Sequence, residues 1–197
     1  MGKKQYRIGI IPGDGIGRDV IKAARIVLDA INETSETFAP DFKPMETGEA
    51  AVKKYGHPFP KETLDGIAAT DAVLFGAAGN PHTENANGDI LSDVGAGVIG
   101  GMGFAYAGNI GDTMGVFEPI HGTAPKYADK NVVNPIAAIM AGKMLFDFLG
   151  EKKTAAGIEK AVIDVLKKGK VRTYDLGGKS STTDVGEAIA AKLRQIS

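Results

Sequence analysis

The chain has 197 residues, room for one substantial domain or two small ones with one the better expectation, and 43% apolar residues to build a core. Its net charge of −1 argues against nucleic acid or an anionic membrane surface as partner, because no strong field is present to attract either. Zero cysteines exclude disulfides and thiolate zinc sites and point to a cytoplasmic protein, and no sustained apolar run suggests a leader or a membrane span.

Tyr6 to Ile11 reads as a short strand that stops at Pro12-Gly13-Asp14-Gly15-Ile16-Gly17. Val20, Ile21, Ala24, Val27, Leu28 and Ile31 then recur at helical spacing. A second strand is expected over about Phe42 to Glu46, a helix over Lys61 to Ala69, and a third strand over Ala72 to Ala77. This alternation predicts an α/β fold, a largely parallel sheet covered by helices in three layers. Of the 27 glycines, eight cluster between Gly95 and Gly115, where Gly100 to Asp112 can be read as a strand between glycine hinges. Asn134 is a natural N-cap with Pro135 at the first helical position. The helix that follows, Ile136 to Leu149, is apolar on nearly every face and should be buried. Thr154 opens another helix, with Ile158, Ala161, Val162, Val165 and Leu166 on one side and Gly169 just past its end. A last helix is expected from about Asp184 to Ile196.

Three segments carry residue types suited to chemistry. Gly13-Asp14-Gly15-Ile16-Gly17 sits between strand and helix, but Arg18 stands where a dinucleotide fingerprint needs its last glycine. A tight turn that requires glycine explains the run equally well. Asp89 and Asp93 are four residues apart, so on a helix their carboxylates share one face. There they either stabilise the helix N-terminus or converge on a hard cation. His121 stands in Glu118-Pro119-Ile120-His121-Gly122-Thr123-Ala124-Pro125-Lys126-Tyr127-Ala128, and a lone histidine is usually a surface or capping residue.

Taken together, these segments resemble the β-decarboxylating dehydrogenases, the family of isocitrate, 3-isopropylmalate and homoisocitrate dehydrogenases. The resemblance implies that His121, Gly122, Thr123 and Ala124 wrap the adenine and ribose of a nicotinamide cofactor, and that Asn134 recognises the adenine. It implies that Asp89 and Asp93, in Gly88-Asp89-Ile90-Leu91-Ser92-Asp93, bind Mg²⁺ or Mn²⁺. A ribose 2′-phosphate needs cationic and hydroxyl donors, whereas a free 2′-hydroxyl is usually held by a carboxylate. The NAD-type members resembling this chain place an aspartate where Lys126 stands, and Tyr174 is similar to a second phosphate contact of the NADP-type isocitrate dehydrogenases. Lys126, Tyr127 and Tyr174 therefore favour NADP over NAD. The arginine expected four residues after Tyr174 is Gly178, which leaves Arg172 or Lys179 as alternative donors.

The resemblance covers residues 1 to about 79 and about 83 to 197, joined by Asn80-Pro81-His82. The family's long central segment has no counterpart between them. That segment carries the groups that grip substrate carboxylates, the tyrosine and lysine acid/base pair, a third metal-binding aspartate and the dimer-building elements. The expectation is one nucleotide-binding large domain over 1–197, spliced at about 80–82 by design, monomeric, keeping a partial NADP and metal site without turnover. An active oxidative decarboxylase of isocitrate or a related 2-hydroxy acid, and a bare folding scaffold, are the alternatives.

Overall fold

A computed structural model describes residues 2–79, 96–98 and 100–196. Five strands form one sheet in the order β2-β1-β3-β5-β4. They are β1 (Lys4–Gly13), β2 (Phe38–Pro44), β3 (Ala72–Ala77), β4 (Tyr106–Ile110) and β5 (Gly115–Pro119). β1 pairs in parallel with β2 and β3, β3 pairs in parallel with β5, and β4 runs antiparallel along the far edge. The largely parallel α/β sheet expected from the alternation is thus present, with one reversed edge strand.

Alternation within β1 divides the structure into layers. Tyr6, Ile8 and Ile10 face the main core, where α1 (Gly17–Thr34), α4 (Ile136–Phe148), α5 (Lys152–Lys168) and α6 (Thr182–Ile196) pack together. α4 buries Ile136, Ile139, Leu145 and Phe146 on different sides, as its uniform apolarity required. Phe38 and Phe146 are fully buried with ring centroids 5.6 Å apart, and burial of such a side chain contributes about 1.5–3 kcal/mol. On the other face, Met45 sits between Gly9 of β1 and Gly66 of α3 (Lys61–Ala68), beside α2 (Gly48–Tyr55). This second layer is thinner and leaves Leu64 of α3 and Val52 of α2 exposed.

Three elements depart from expectation. β2 begins at Phe38, four residues before the expected Phe42, because Phe38 is the side chain that fills the core against Tyr6 and Phe146. Pro40 and Pro44 are tolerated because β2 is an edge strand. α2 had no counterpart among the expected elements, since it buries only Gly48 and Ala51 and so carries no apolar stripe. β5 was also unforeseen, although its buried Gly115, Phe117 and Pro119 alternate as a half-buried strand should.

Candidate functional site

β2 and β3 lie on opposite sides of β1, so the chain diverges at the carboxyl end of β1. In open α/β sheets ligands bind in the crevice at such a point. The turn that follows β1 is built for close approach. Gly13 and Gly15 have φ of 70° and 54°, and a Cβ on Gly13 would lie 1.9 Å from the Ala77 carbonyl oxygen. A Cβ on Gly15 would lie 2.0 Å from the Thr123 carbonyl oxygen. In place of side chains, the Asp14 N–H donates to the Ala77 carbonyl at 2.7 Å and the Ile16 N–H to the Thr123 carbonyl at 2.8 Å. The turn is therefore fastened to β3 on one side and to the 121–127 loop on the other. A cleft of about 850 Å³ opens beside it, bordered by Asp14, Gly15, Arg18, Phe59, Thr123 and Pro125.

His121 leads the loop. It is 8% exposed, its Nδ1 lies 3.2 Å from the Gly122 carbonyl oxygen, and its Nε2 is buried with no partner among the described residues. Burial pushes its pKa below the usual histidine range, so the ring is neutral at pH 7 and Nε2 can meet a ligand as donor or acceptor. Ala124, Asp129 and Asn131 all adopt the left-handed conformation, with φ of 37°, 58° and 55°. Such residues persist only where the surroundings hold them. Arg18 holds Asp129 through two hydrogen bonds of 3.1 and 2.7 Å, and its guanidinium lowers the Asp129 pKa. Burial raises the Asp19 pKa, against the opposing pull of the Asp129 and Asn131 backbone groups that face its carboxylate. The Asn131 carboxamide oxygen accepts from the N–H and hydroxyl of Thr183 at 3.0 and 2.9 Å, anchoring the loop to α6.

The rings of Tyr127 and Tyr174 stack, with centroids 5.9 Å apart and planes at 25°, and the Lys126 Nζ lies 5.5 Å from the Tyr127 centroid. The fold thereby gathers a cation and two phenols from segments 47 residues apart in sequence. A hydrogen bond with Tyr127, and then burial, raise the Tyr174 pKa. The helix starts one residue later than expected, with Pro135 and not Asn134 at the N-cap of α4, yet the Asn134 Oδ1 still accepts the Ile136 N–H at 3.0 Å. Its Nδ2 donates to Asp175 Oδ2 at 3.0 Å, and the Thr173 hydroxyl donates to Asp175 Oδ1. The Asp175 carboxylate thus ties the Tyr174 segment to the N-terminus of α4. Most of the Asn134 side chain is engaged in this junction, leaving its backbone and one Nδ2 hydrogen for a ligand.

Gly178 sits where a side chain has no room, since a Cβ there would lie 2.1 Å from the Arg172 carbonyl oxygen. Arg172 turns its guanidinium to the end of α5, where its Nη2 would stand 2.2 Å from a Cβ on Gly169. It is directed to that helix terminus, and Lys179 remains exposed. Asp89, Asp93 and the 80–82 junction lie outside the described residues. Among the described residues no group of three or more His, Asp or Glu side chains is placed to hold a metal ion, and no helix is long and apolar enough to cross a membrane.

Sequence reasoning missed Asp175, Asp19 and the Arg18–Asp129 pair. Thr173-Tyr174-Asp175 carried a usable signal, because Thr and Asp two residues apart favour side-chain-bonded turns. The other two pairings join the α1 N-terminus to a loop more than a hundred residues away, and no local pattern announces them.

Comparison with known proteins matches this architecture. An isocitrate dehydrogenase from Methylococcus capsulatus superposes with a TM-score of 0.86 over 96% of this chain and 100% of that one, at 23% identity, a likeness of fold. The Thermus thermophilus isocitrate/homoisocitrate dehydrogenase is 52% identical over 114 residues, covering 58% of this chain and 34% of that protein. A second Thermus thermophilus protein, named as an NADP isocitrate dehydrogenase, is 48% identical over 116 residues, covering 56% of this chain and 23% of that protein. The chain therefore spans about a third or less of the length of these two relatives. Residues 7–84 and 82–189 match the family described as isocitrate/isopropylmalate dehydrogenase, and the chain belongs to that family.

Proposed function

We propose that this chain is a nucleotide-binding domain of the isocitrate/isopropylmalate dehydrogenase type that binds NADP in preference to NAD and does not turn over substrate by itself. The observation that carries this reading is the meeting of Lys126, Tyr127 and Tyr174 at one surface, on and beside the loop that His121 opens. A ribose 2′-phosphate there would meet one ammonium and two hydroxyl donors, and charge-assisted bonds of this kind are roughly twice as strong as neutral ones. No carboxylate in the trio favours a free 2′-hydroxyl instead. His121 Nε2, buried and without a partner among the described residues, fits an adenine nitrogen edge, and Gly122 leaves the loop open to a flat ring.

The cofactor, when bound, supplies hydride acceptance. The described residues bind and orient it: the glycine turn at 13–17 fixes the height of the loop, and Asp175 fixes Tyr174. Oxidising a 2-hydroxy acid and releasing CO₂ further needs carboxylate clamps, a base and an enol protonator. Residues that could be matched to those roles are lacking between Gly79 and Thr83, which supports a binding role. A monomer follows from the same reading, as does weak metal binding by Asp89 and Asp93, since Mg²⁺ prefers six ligands in strict geometry.

Tyrosine fluorescence titrated with NADP⁺ and NAD⁺ tests the proposal, alongside an assay with isocitrate, NADP⁺ and Mg²⁺. Saturable quenching by NADP⁺ at lower concentration than NAD⁺, without NADPH formation, is the expected result. Metal-dependent NADPH production that Asp89→Asn abolishes would replace the binding role with a catalytic one.

A further inference from the structure

We propose that a second cleft, bordered by α1, α2 and α3, binds a small organic anion at a site separate from the 121–127 loop. This cleft has a volume of about 690 Å³, and Ile10, Ile21, Pro44, Met45 and Tyr55 give it apolar walls. Arg18, Lys22 and Arg25 border it from α1, and their spacing of four and three residues places them on one stripe of that helix. Lys54 borders it from α2. Three of these four cations already hold an acid: Arg18 holds Asp129, Arg25 holds Asp29 and Lys54 holds Glu46. Lys22 has no acidic partner among the described residues and remains available to a ligand.

Thr47 supplies an independent observation. It lines the same cleft, is 2% exposed, and its hydroxyl has no hydrogen-bond partner among the described residues. Its extended backbone, with φ −139° and ψ 176°, places it at the N-cap of α2, where a threonine hydroxyl ordinarily satisfies a helix N–H. That task falls to Asp14, whose Oδ1 accepts the Glu49 N–H at 2.9 Å. A buried hydroxyl without a partner is destabilising, and valine has the same shape without that cost. An anionic oxygen beside Thr47 gives the hydroxyl an acceptor. The Gly48 and Glu49 N–H groups are taken by the Pro58 carbonyl and by Asp14, so the first turn of α2, where Ala50 lines the cleft, contributes only the positive end of its helix dipole.

Glu62 on the α3 side limits the charge the cleft accepts. A polyphosphate would be repelled, whereas a carboxylate or phosphate monoester on an apolar body matches both the walls and the single free ammonium. Arg18 borders both clefts, but Lys22 and Thr47 border only this one, so variants at those two positions distinguish it from the nucleotide site.

Amide NMR of the full chain, titrated with phenyl phosphate and with benzoate against an inorganic phosphate control, tests the proposal. Saturable shifts at Lys22, Thr47 and Ala50 with either organic probe, and weaker binding of inorganic phosphate, are expected. The tighter of the two organic probes identifies the acid group. Lys22→Met and Thr47→Val should each weaken that binding about tenfold, the scale of one lost bond to a charged group. Thr47→Val should keep or raise its thermal midpoint, because it removes a buried hydroxyl without a partner among the described residues, and should retain its NADP⁺ affinity, which separates loss of this site from loss of the nucleotide site. Absence of saturable shifts with both organic probes, shifts centred on residues 121–127, or undiminished affinity in both variants would overturn the proposal.

Discussion

The Asn134–Asp175 junction offers the sharpest test of how the site is held. Asp175→Ala removes the acceptor of two hydrogen bonds, from Asn134 Nδ2 and from the Thr173 hydroxyl. Asn134 is 6% exposed and Thr173 is 0% exposed, so both donors would stay inside without partners. Hydrogen bonds to a charged group contribute about 1.5–3 kcal/mol each, and the exposure of Asp175 itself argues for the lower end. The expected loss is about 2–3 kcal/mol, which for a chain of this size lowers the thermal midpoint by about 4–12 °C. Asp175→Asn keeps one acceptor oxygen and should fall between wild type and Asp175→Ala. Urea unfolding of the double-mutant cycle with Asn134→Ala should reveal a coupling of about 1 kcal/mol or more. A loss below about 0.5 kcal/mol, or strict additivity, would refute the idea that this carboxylate joins the two segments.

Other perturbations separate the parts of the site. Gly15→Ala places a Cβ 2.0 Å from the Thr123 carbonyl oxygen at a φ of 54° and should cost at least about 2 kcal/mol in urea unfolding; a neutral result would mean that the turn and loop are not fastened. Tyr174→Phe should weaken NADP⁺ binding about tenfold while leaving NAD⁺ binding unchanged, as calorimetry would show. Gly178→Arg should destabilise the fold without improving NADP⁺ affinity, because the Arg172 backbone occupies the space of its Cβ. The depressed pKa of His121 means that folding favours the neutral ring. The unfolded chain then binds the extra proton, so this stability is present above the ordinary histidine pKa of about 6.5 and lost as pH falls from there towards the folded pKa. Urea midpoints measured from pH 8 to pH 5 should decline in that window, and His121→Gln should flatten the decline.

Much of the fold was legible because burial and periodicity coincide. Ile8 and Ile10, the α1 stripe and the uniformly apolar α4 each announce their element and their neighbours. Legibility failed where local composition and tertiary role diverge. Phe38 belongs to a proline-bearing stretch that fell outside the expected strand, yet it is a fully buried core residue. α2 is held by its cap from Asp14 and by Ala51, with no apolar stripe to betray it. For the site, residue types alone left Gly13–Gly17 and His121 ambiguous, and family resemblance singled them out. The left-handed residues at 124, 129 and 131, and the carboxylates that hold them, depend on contacts between distant segments. Family resemblance grouped Tyr174 with Lys126 and Tyr127, but no local pattern joins them, since Asp175 and Asn134 make that connection in space.

Calorimetric titration with 2′,5′-ADP and with 5′-ADP isolates the ribose 2′-phosphate from the rest of the cofactor. If Lys126, Tyr127 and Tyr174 form a phosphate-binding surface, 2′,5′-ADP binds at least about tenfold more tightly than 5′-ADP, and Lys126→Met removes most of the difference. Equal affinity for the two nucleotides, or no binding of either, would contradict it.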